Sequence, residues 1–431
     1  MPLRRALGVV LLVATACTSS VPDEGPPEPS GPTPSPSYDV VEPGQTSVRA
    51  VPPEGGTFLV RGRYPPTRSR CVGAERPELI ARYPGEVTVQ RTDDGSLALL
   101  VTVPFERYLE GIAEAPPSWP RAALEAQAVA ARSYALARIA WTGPEGGTPE
   151  QTICATTACQ VYRGIPVPRT AEIRRWYRAV RRTAGQVLLF EGRPADTVYF
   201  STSNGGTLGN DEVFGSSPLP YLRPVVEQDD SASPTSRWTA RVPFEDLRRF
   251  LGVAGLWPAR RSISAVSLDG STVGVSGGGV TRSVELSTFR DAVNTWAPCL
   301  MPARYPGPSN RGTQLPVTVP SRWMDLDTES RTVVMTGRGW GHGVGMVQWG
   351  AYGKALRGMS APDILAFYYG GLRPRRYPEP GMIDVEVASG LRSIRLVPSD
   401  AGAMLEDVTL ERGRVTITGG DELTVEVEPR E

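Results

Sequence analysis

The stretch VPFERYLEGIAEAPPSWPRAALEAQAVAARSYALAR, from Val103 to Arg138, constrains the fold more than any other part of the chain. Its second half is a long run dominated by Ala, Leu, Glu and Arg, strong helix formers. Trp119 and Pro120 fit a first helical turn, where the missing proline N–H leaves no bond unmade, and Ser118 is the expected cap. The sequence therefore predicts a helix from Trp119 to about Trp141, with one carboxylate, Glu114, on the proline-bounded turn before it. A carboxylate held by Pro116, Pro117 and a helix N-terminus suits catalysis; the competing reading is a solvated loop acid.

A second segment, GRGWGHGVGMVQWGAYG from Gly337 to Gly353, carries seven glycines and His342, the only histidine of the 431 residues. Alternating glycine lets a backbone approach a ligand closely, and Trp340 and Trp349 offer flat faces to a sugar ring. Together with CATTACQVYRG and AVRRTAGQVLLFEGRPADTVYFSTSNGG, these segments resemble the SpoIID/LytB family, whose motifs occur here in the family's order from about Phe105 to Leu372. The resemblance implies an α+β fold: a mixed helix and strand catalytic domain with a small β-rich C-terminal extension.

The SpoIID branch of the resemblance implies a lytic transglycosylase that cleaves peptidoglycan glycan strands, with Glu114 as its acid. A single carboxylate suffices there, because the muramoyl 6-hydroxyl attacks the anomeric centre; no cofactor is called for. Ala113, Ala115 and Pro116 would supply apolar walls that raise the pKa of the carboxyl. A hydrolase needs a second carboxylate across the bond, for which Asp211 and Glu212 are the candidates. The motif match assigns supporting or substrate-binding roles to Gln127, Arg132, Ser203, Gly205, His342 and Gln348. Gln127 and Arg132, five residues apart on one helix, point about 140° away from each other, which argues against joint service in one groove. Ser203 beside Gly205 and Gly206 would bond a sugar oxygen or form a turn. His342 would orient Glu114, contact substrate, or satisfy backbone groups as a buried neutral ring. Gln348 would bind an N-acetyl group. The LytB branch implies instead a non-catalytic amidase enhancer or wall-binding protein, with a cell-wall amidase as partner.

Composition excludes other classes. With 46 basic and 46 acidic residues the net charge is zero, which gives no attraction to nucleic acid or an anionic membrane surface. Arg4 and Arg5 precede an eleven-residue apolar run, Ala6 to Ala16, and then Cys17. That run is too short for a membrane span and resembles a lipoprotein signal peptide (1–17), in which Cys17 is lipidated; Ala14 departs from the usual leucine. The expected location is the outer face of the cytoplasmic membrane, through a lipid anchor alone, or the cell wall. The remaining cysteines, Cys71, Cys154, Cys159 and Cys299, allow three connectivities, and the short CATTAC spacing favours Cys154–Cys159 with Cys71–Cys299. The family can carry a metal-binding histidine where this chain has Ala158, so no metal is expected.

Along the chain, residues 18–45 read as a Pro/Ser-rich linker. Residues 46–372 read as the main domain, with a strand-rich lead-in to about 103 and an insertion at about 218–336. Residues 373–431 read as a β-rich module. A second helix is expected from Thr170 to Ala184, and QVLLF with DTVYFST is expected to form a hairpin about Glu191–Gly192–Arg193.

Overall fold

The computed structural model describes residues 41–65, 78–146, 151–165, 170–307, 315–399, 402–410 and 413–429; the signal peptide, Cys17 and most of the linker lie outside them, as does Cys71. The fold is α+β. Two sheets are built jointly by both ends of the chain. In the seven-stranded sheet the order is Val408–Leu410, Ala403–Leu405, Ser47–Val51, Glu86–Arg91, Leu97–Pro104, Met382–Leu391 and Ile153–Cys154. In the five-stranded sheet it is Thr424–Pro429, Gly413–Thr418, Ser393–Pro398, Thr57–Arg63 and Leu79–Pro84. Alternation in Thr57–Arg63 buries Phe58 and Val60, and in LALLVTV it buries Leu97, Leu99, Val101 and Val103 on one face while the other face, at Leu100 and Thr102, is half-buried. Because Met382–Leu391 pairs with Leu97–Pro104 and Ser393–Pro398 with Thr57–Arg63, the boundary expected at residue 373 runs through shared sheets.

The alanine-rich helix spans Arg121–Arg138 and is buried almost all round, from Ala123 to Leu136. Its small side chains let three other helices, Ile173–Arg182, Gln348–Leu356 and Ala361–Tyr368, pack against it. Pro120 precedes it without a side-chain cap, so Ser118 does not play its expected part. It ends before Trp141 because Ala140 adopts a left-handed φ of 53° and the Trp141 N–H turns back to the Leu136 carbonyl. The expected hairpin is only half present. Leu189–Phe190 pairs with Arg193–Pro194, but Tyr199–Phe200 pairs in parallel with Met346–Val347 instead, drawn across by a long-range contact that local alternation does not encode.

The insertion has a core of its own, in which Trp238, Phe244, Phe250, Trp257, Phe289 and Met335 are buried together. It leaves and returns along one antiparallel pair, Trp238–Pro243 with Thr332–Gly337, whose register sets Trp238 opposite Gly337. This closure delivers the glycine-rich loop to the body of the protein at the point where the chain left it.

The single lysine holds that junction. Lys354 is buried, with Nζ 2.9 and 3.0 Å from the two carboxylate oxygens of Glu227, 2.8 Å from Asp229 and 4.1 Å from the Phe367 ring centre. Tyr368 also donates to Glu227, and Arg357 pairs with Asp229. A compact ammonium meets these groups at once, a task for which a planar guanidinium is no substitute. Replacing Lys354 with Met leaves two buried carboxylates short of countercharge. Urea unfolding should show a loss of ~3–5 kcal/mol, and a loss below ~1 kcal/mol would contradict the assignment of this cluster as a scaffold.

Candidate active site

Glu114 belongs to a short loop that follows the helix Phe105–Glu110 and turns at Gly111. The loop runs beside the CATTACQVYRG segment: Ala113 N–H donates to the Val161 carbonyl and Arg163 N–H to the Gly111 carbonyl. Gly111 is required for this approach, since a Cβ there would lie 2.3 Å from the Tyr162 ring. The Val161 N–H donates to Glu114 Oε1 at 2.5 Å. The segment bearing Val161 is tied by the Cys154–Cys159 disulfide, the pairing expected from the spacing. Cys299 is also disulfide-bonded.

From the other side Gln348, at the start of the helix Gln348–Leu356, donates to the Glu114 main-chain carbonyl at 3.1 Å and to Gln127 Oε1 at 3.3 Å. Gln127 is fully buried, and its Nε2 has no hydrogen-bond partner among the described residues. The two glutamines therefore brace the acid loop from behind. Gln160, also fully buried, donates to Tyr108 Oη and the Ala131 carbonyl and accepts from Tyr199 Oη, which locks the layer beneath.

Two clefts of about 710 Å³ each meet at the acid, sharing Ala113, Glu114, Pro116 and Arg163. One is walled by Trp119, Tyr199, Phe214, Trp340, His342 and Trp349; the other by Leu59, Ile80, Ile112, Ile165, Ile173 and Trp176. Trp340 keeps 38 % of its surface exposed, whereas Trp349 packs edge-on against Trp119 at 5.0 Å, so the first of the two presents a free face. Burial raises the pKa of Glu114 above the ordinary carboxyl value, against the opposing pull of the Val161 N–H, the Gln348 amide and the Arg163 guanidinium.

His342 lines the first cleft but is not a proton donor to Glu114. Its Nδ1 accepts from the Val344 N–H at 3.1 Å, which places the proton on Nε2, 2.9 Å from the Tyr199 carbonyl. The ring lies between Phe200 and Phe214, 5.4 Å from each, and burial lowers its pKa to about 4. Both nitrogens therefore serve the backbone.

Other expected site residues lie elsewhere. Arg132 is fully buried on the opposite side of the helix from Gln127, paired with Glu106 at 2.7 Å and Glu379 at 2.6 Å and bonded to the Val180 carbonyl. It joins helices and lines neither cleft at Glu114. Ser203 is buried, and its hydroxyl and N–H both donate to Asp230 at 2.7 Å; Gly205, with φ of 117°, continues that turn. Neither lines a cleft at Glu114. Asp211 pairs with Arg223, and Glu212 accepts from the Gly209 N–H at the start of a short helix. The remaining acid at the clefts is Glu110, which sequence reading passed over and which pairs with Arg107 and Arg181. Among the described residues no three His, Cys, Asp or Glu side chains gather to hold a metal ion.

Residues 93–190, which include the acid loop and the disulfide, match the SpoIID family, described as Stage II sporulation protein. The chain is 30 % identical over 276 residues to an uncharacterized protein of Brachyspira hyodysenteriae, covering 62 % of this chain and 66 % of that one. It is 28 % identical over 306 residues to Stage II sporulation protein D of Bacillus subtilis, covering 68 % and 80 %. Over residues 93–190 the chain is similar to the SpoIID family. It is also 29 % identical to the amidase enhancer of Bacillus subtilis, over 60 % of this chain and 38 % of that longer protein. Ala158 and Cys159, the latter closed in the disulfide with Cys154, stand in the wall of the first cleft.

The His342 geometry makes a direct prediction. Nitrogen NMR should show a neutral ring protonated at Nε2 throughout about pH 5 to 8, because its pKa lies well below the ordinary 6.5. A titration centred between about pH 6 and 7 would mean that the ring is not held as described.

Proposed function

We propose that this chain is a peptidoglycan lytic transglycosylase that cleaves the linkage from N-acetylmuramic acid to N-acetylglucosamine with Glu114 as its only acid and base. Similarity to the SpoIID family and to an amidase enhancer supports a role at the cell wall. The observation that carries the finer reading is the placement of one carboxyl of raised pKa where two clefts meet, with its loop fixed from both sides. A strand threaded through the joined clefts would set its scissile bond at that carboxyl. Glu114 gives its proton to the glycosidic oxygen as the anomeric carbon–oxygen bond breaks, and the muramoyl 6-hydroxyl then bonds to the anomeric carbon. The hydroxyl proton returns to Glu114, so no water is consumed.

The ion pairs and caps that occupy Asp211, Glu212 and Glu110 support a single-acid scheme over a two-carboxylate hydrolase. Export and lipidation at Cys17 belong to the same reading; among the described residues no helix is long and apolar enough to cross a membrane. The second reading, favoured by the likeness to the amidase enhancer, is a non-catalytic activator of a cell-wall amidase.

Glu114→Gln keeps the size of the side chain and removes its transferable proton. It should lower release of fragments from purified peptidoglycan by at least ~10²-fold while leaving the urea midpoint within error. Undiminished cleavage by the folded variant would sink the assignment. An activator would cleave nothing alone and would raise the rate of an added amidase, with or without the Glu114 carboxyl.

A further inference from the structure

Arg163 stands where the two clefts join and lines both of them beside Glu114. Its backbone is held on either side. The Arg163 N–H donates to the Gly111 carbonyl at 3.0 Å, and beyond Gly164 the Ile165 N–H donates to the Arg82 carbonyl at 2.7 Å. Tyr162 pairs with Ile112 of the acid loop and is buried, so alternation turns the exposed Arg163 side chain to the opposite face, over the acid.

The other charged groups at the clefts are already engaged. Arg82 donates to Thr57 Oγ1 at 3.0 Å, Arg138 pairs with Asp196 at 3.1 Å, and Glu110 pairs with Arg107 and Arg181. Burial keeps His342 neutral and raises the pKa of the Tyr134 and Tyr199 phenols, so none of the three is charged near pH 7. Arg163 makes no ion pair or side-chain hydrogen bond among the described residues, and a ligand in either cleft meets it together with Glu114. A fork of donors in that position complements a carboxylate. In a strand of N-acetylglucosamine and N-acetylmuramic acid the hydroxyl and N-acetyl groups are neutral. The one group able to carry a negative charge is the carboxyl of the muramoyl 3-O-lactyl ether, which is charged when free and neutral when capped as an amide.

We infer that Arg163 receives the lactyl carboxylate of the muramoyl residue whose bond lies at Glu114, and thereby couples the state of that carboxyl to the acid. The inference rests on the glycan-strand reading of the acid cleft. The coupling follows from the position of the guanidinium, whose charge pulls the Glu114 pKa down in the free protein. A carboxylate paired with Arg163 cancels that pull, so Glu114 holds its proton more firmly once the sugar is bound. Glu114 must start the reaction protonated, so the complex with a free lactyl carboxylate stays active to higher pH than the complex with a capped one.

Soluble strands of the two sugars, with lactyl carboxyls left free or converted to methylamides, test it on the full chain. Wild type should show a kcat/KM at least about tenfold higher on the free-acid strand, an advantage that shrinks as salt rises. Arg163→Gln should bring that ratio to about one, and Arg163→Lys should restore part of it. The basic limb of wild-type kcat should lie higher on the free-acid strand than on the capped one. In kcat/KM the basic limb of Arg163→Gln should lie above that of wild type, because the guanidinium no longer acts on Glu114. A side chain that merely supported the loop would move neither limb. Equal kcat/KM of wild type on both strands, or a preference that Arg163→Gln retains, would overturn the inference. Calorimetry with a tetrasaccharide in both forms separates it from the glycan-cleavage reading. Tighter binding of the free acid by a wild-type chain that cleaves neither strand, lost in Arg163→Gln, would overturn the transglycosylase and leave the Arg163 site standing; absence of both binding and cleavage would overturn both.

Discussion

The site depends on the contact of Gln348 with the main-chain carbonyl of Glu114, because it joins two segments more than two hundred residues apart. Gln348 can reach the acid loop only if the glycine-rich loop before it is correctly seated. That seating comes from the parallel pairing of Met346–Val347 with Tyr199–Phe200, where Gly345, at φ of 75°, leaves no room for a side chain against the Val198 carbonyl. The insertion closes on itself just upstream, and the Lys354 cluster fastens the helix just downstream. Each is a structural device, and together they fix the loop at which the carboxyl stands.

The same contacts limit how far the acid is tuned. Burial lifts the pKa of Glu114, and the Val161 N–H, the Gln348 amide and Arg163 pull it back. A carboxyl in a wholly apolar pocket would hold its proton more firmly but would lack a fixed orientation. Here orientation is gained at the expense of part of the shift, a balance that suits the role proposed for Glu114, in which it donates and then recovers a proton. His342 contributes shape to this arrangement and no charge, since burial keeps its ring neutral and the backbone occupies both nitrogens.

Much of this was legible in the residues. The alanine-rich helix, the acid before it, the short disulfide and the glycine-rich loop all have local signals, and each stands close to where the sequence put it. What stayed hidden is non-local. Strand pairing between the two ends of the chain leaves no trace in either end, so residues 373–431 read as a separate module. Arg132 and Ser203 sit in motifs with the acid, yet their partners Glu106, Glu379 and Asp230 lie in other segments and turn them into structural residues. The Val161 N–H was invisible because every residue except proline has such a donor, and only the fold selects one.

The most direct measurement of the central claim is the mass of the muramoyl ends released from purified peptidoglycan. Intramolecular attack by the 6-hydroxyl predicts 1,6-anhydromuramoyl ends, one water lighter than the reducing ends that hydrolysis leaves, and their loss when Glu114 carries no transferable proton. Reducing ends, with activity abolished by amide substitution at Glu110, Asp211 or Glu212 as fully as at Glu114, would contradict the single-acid account and make this a two-carboxylate glycosidase.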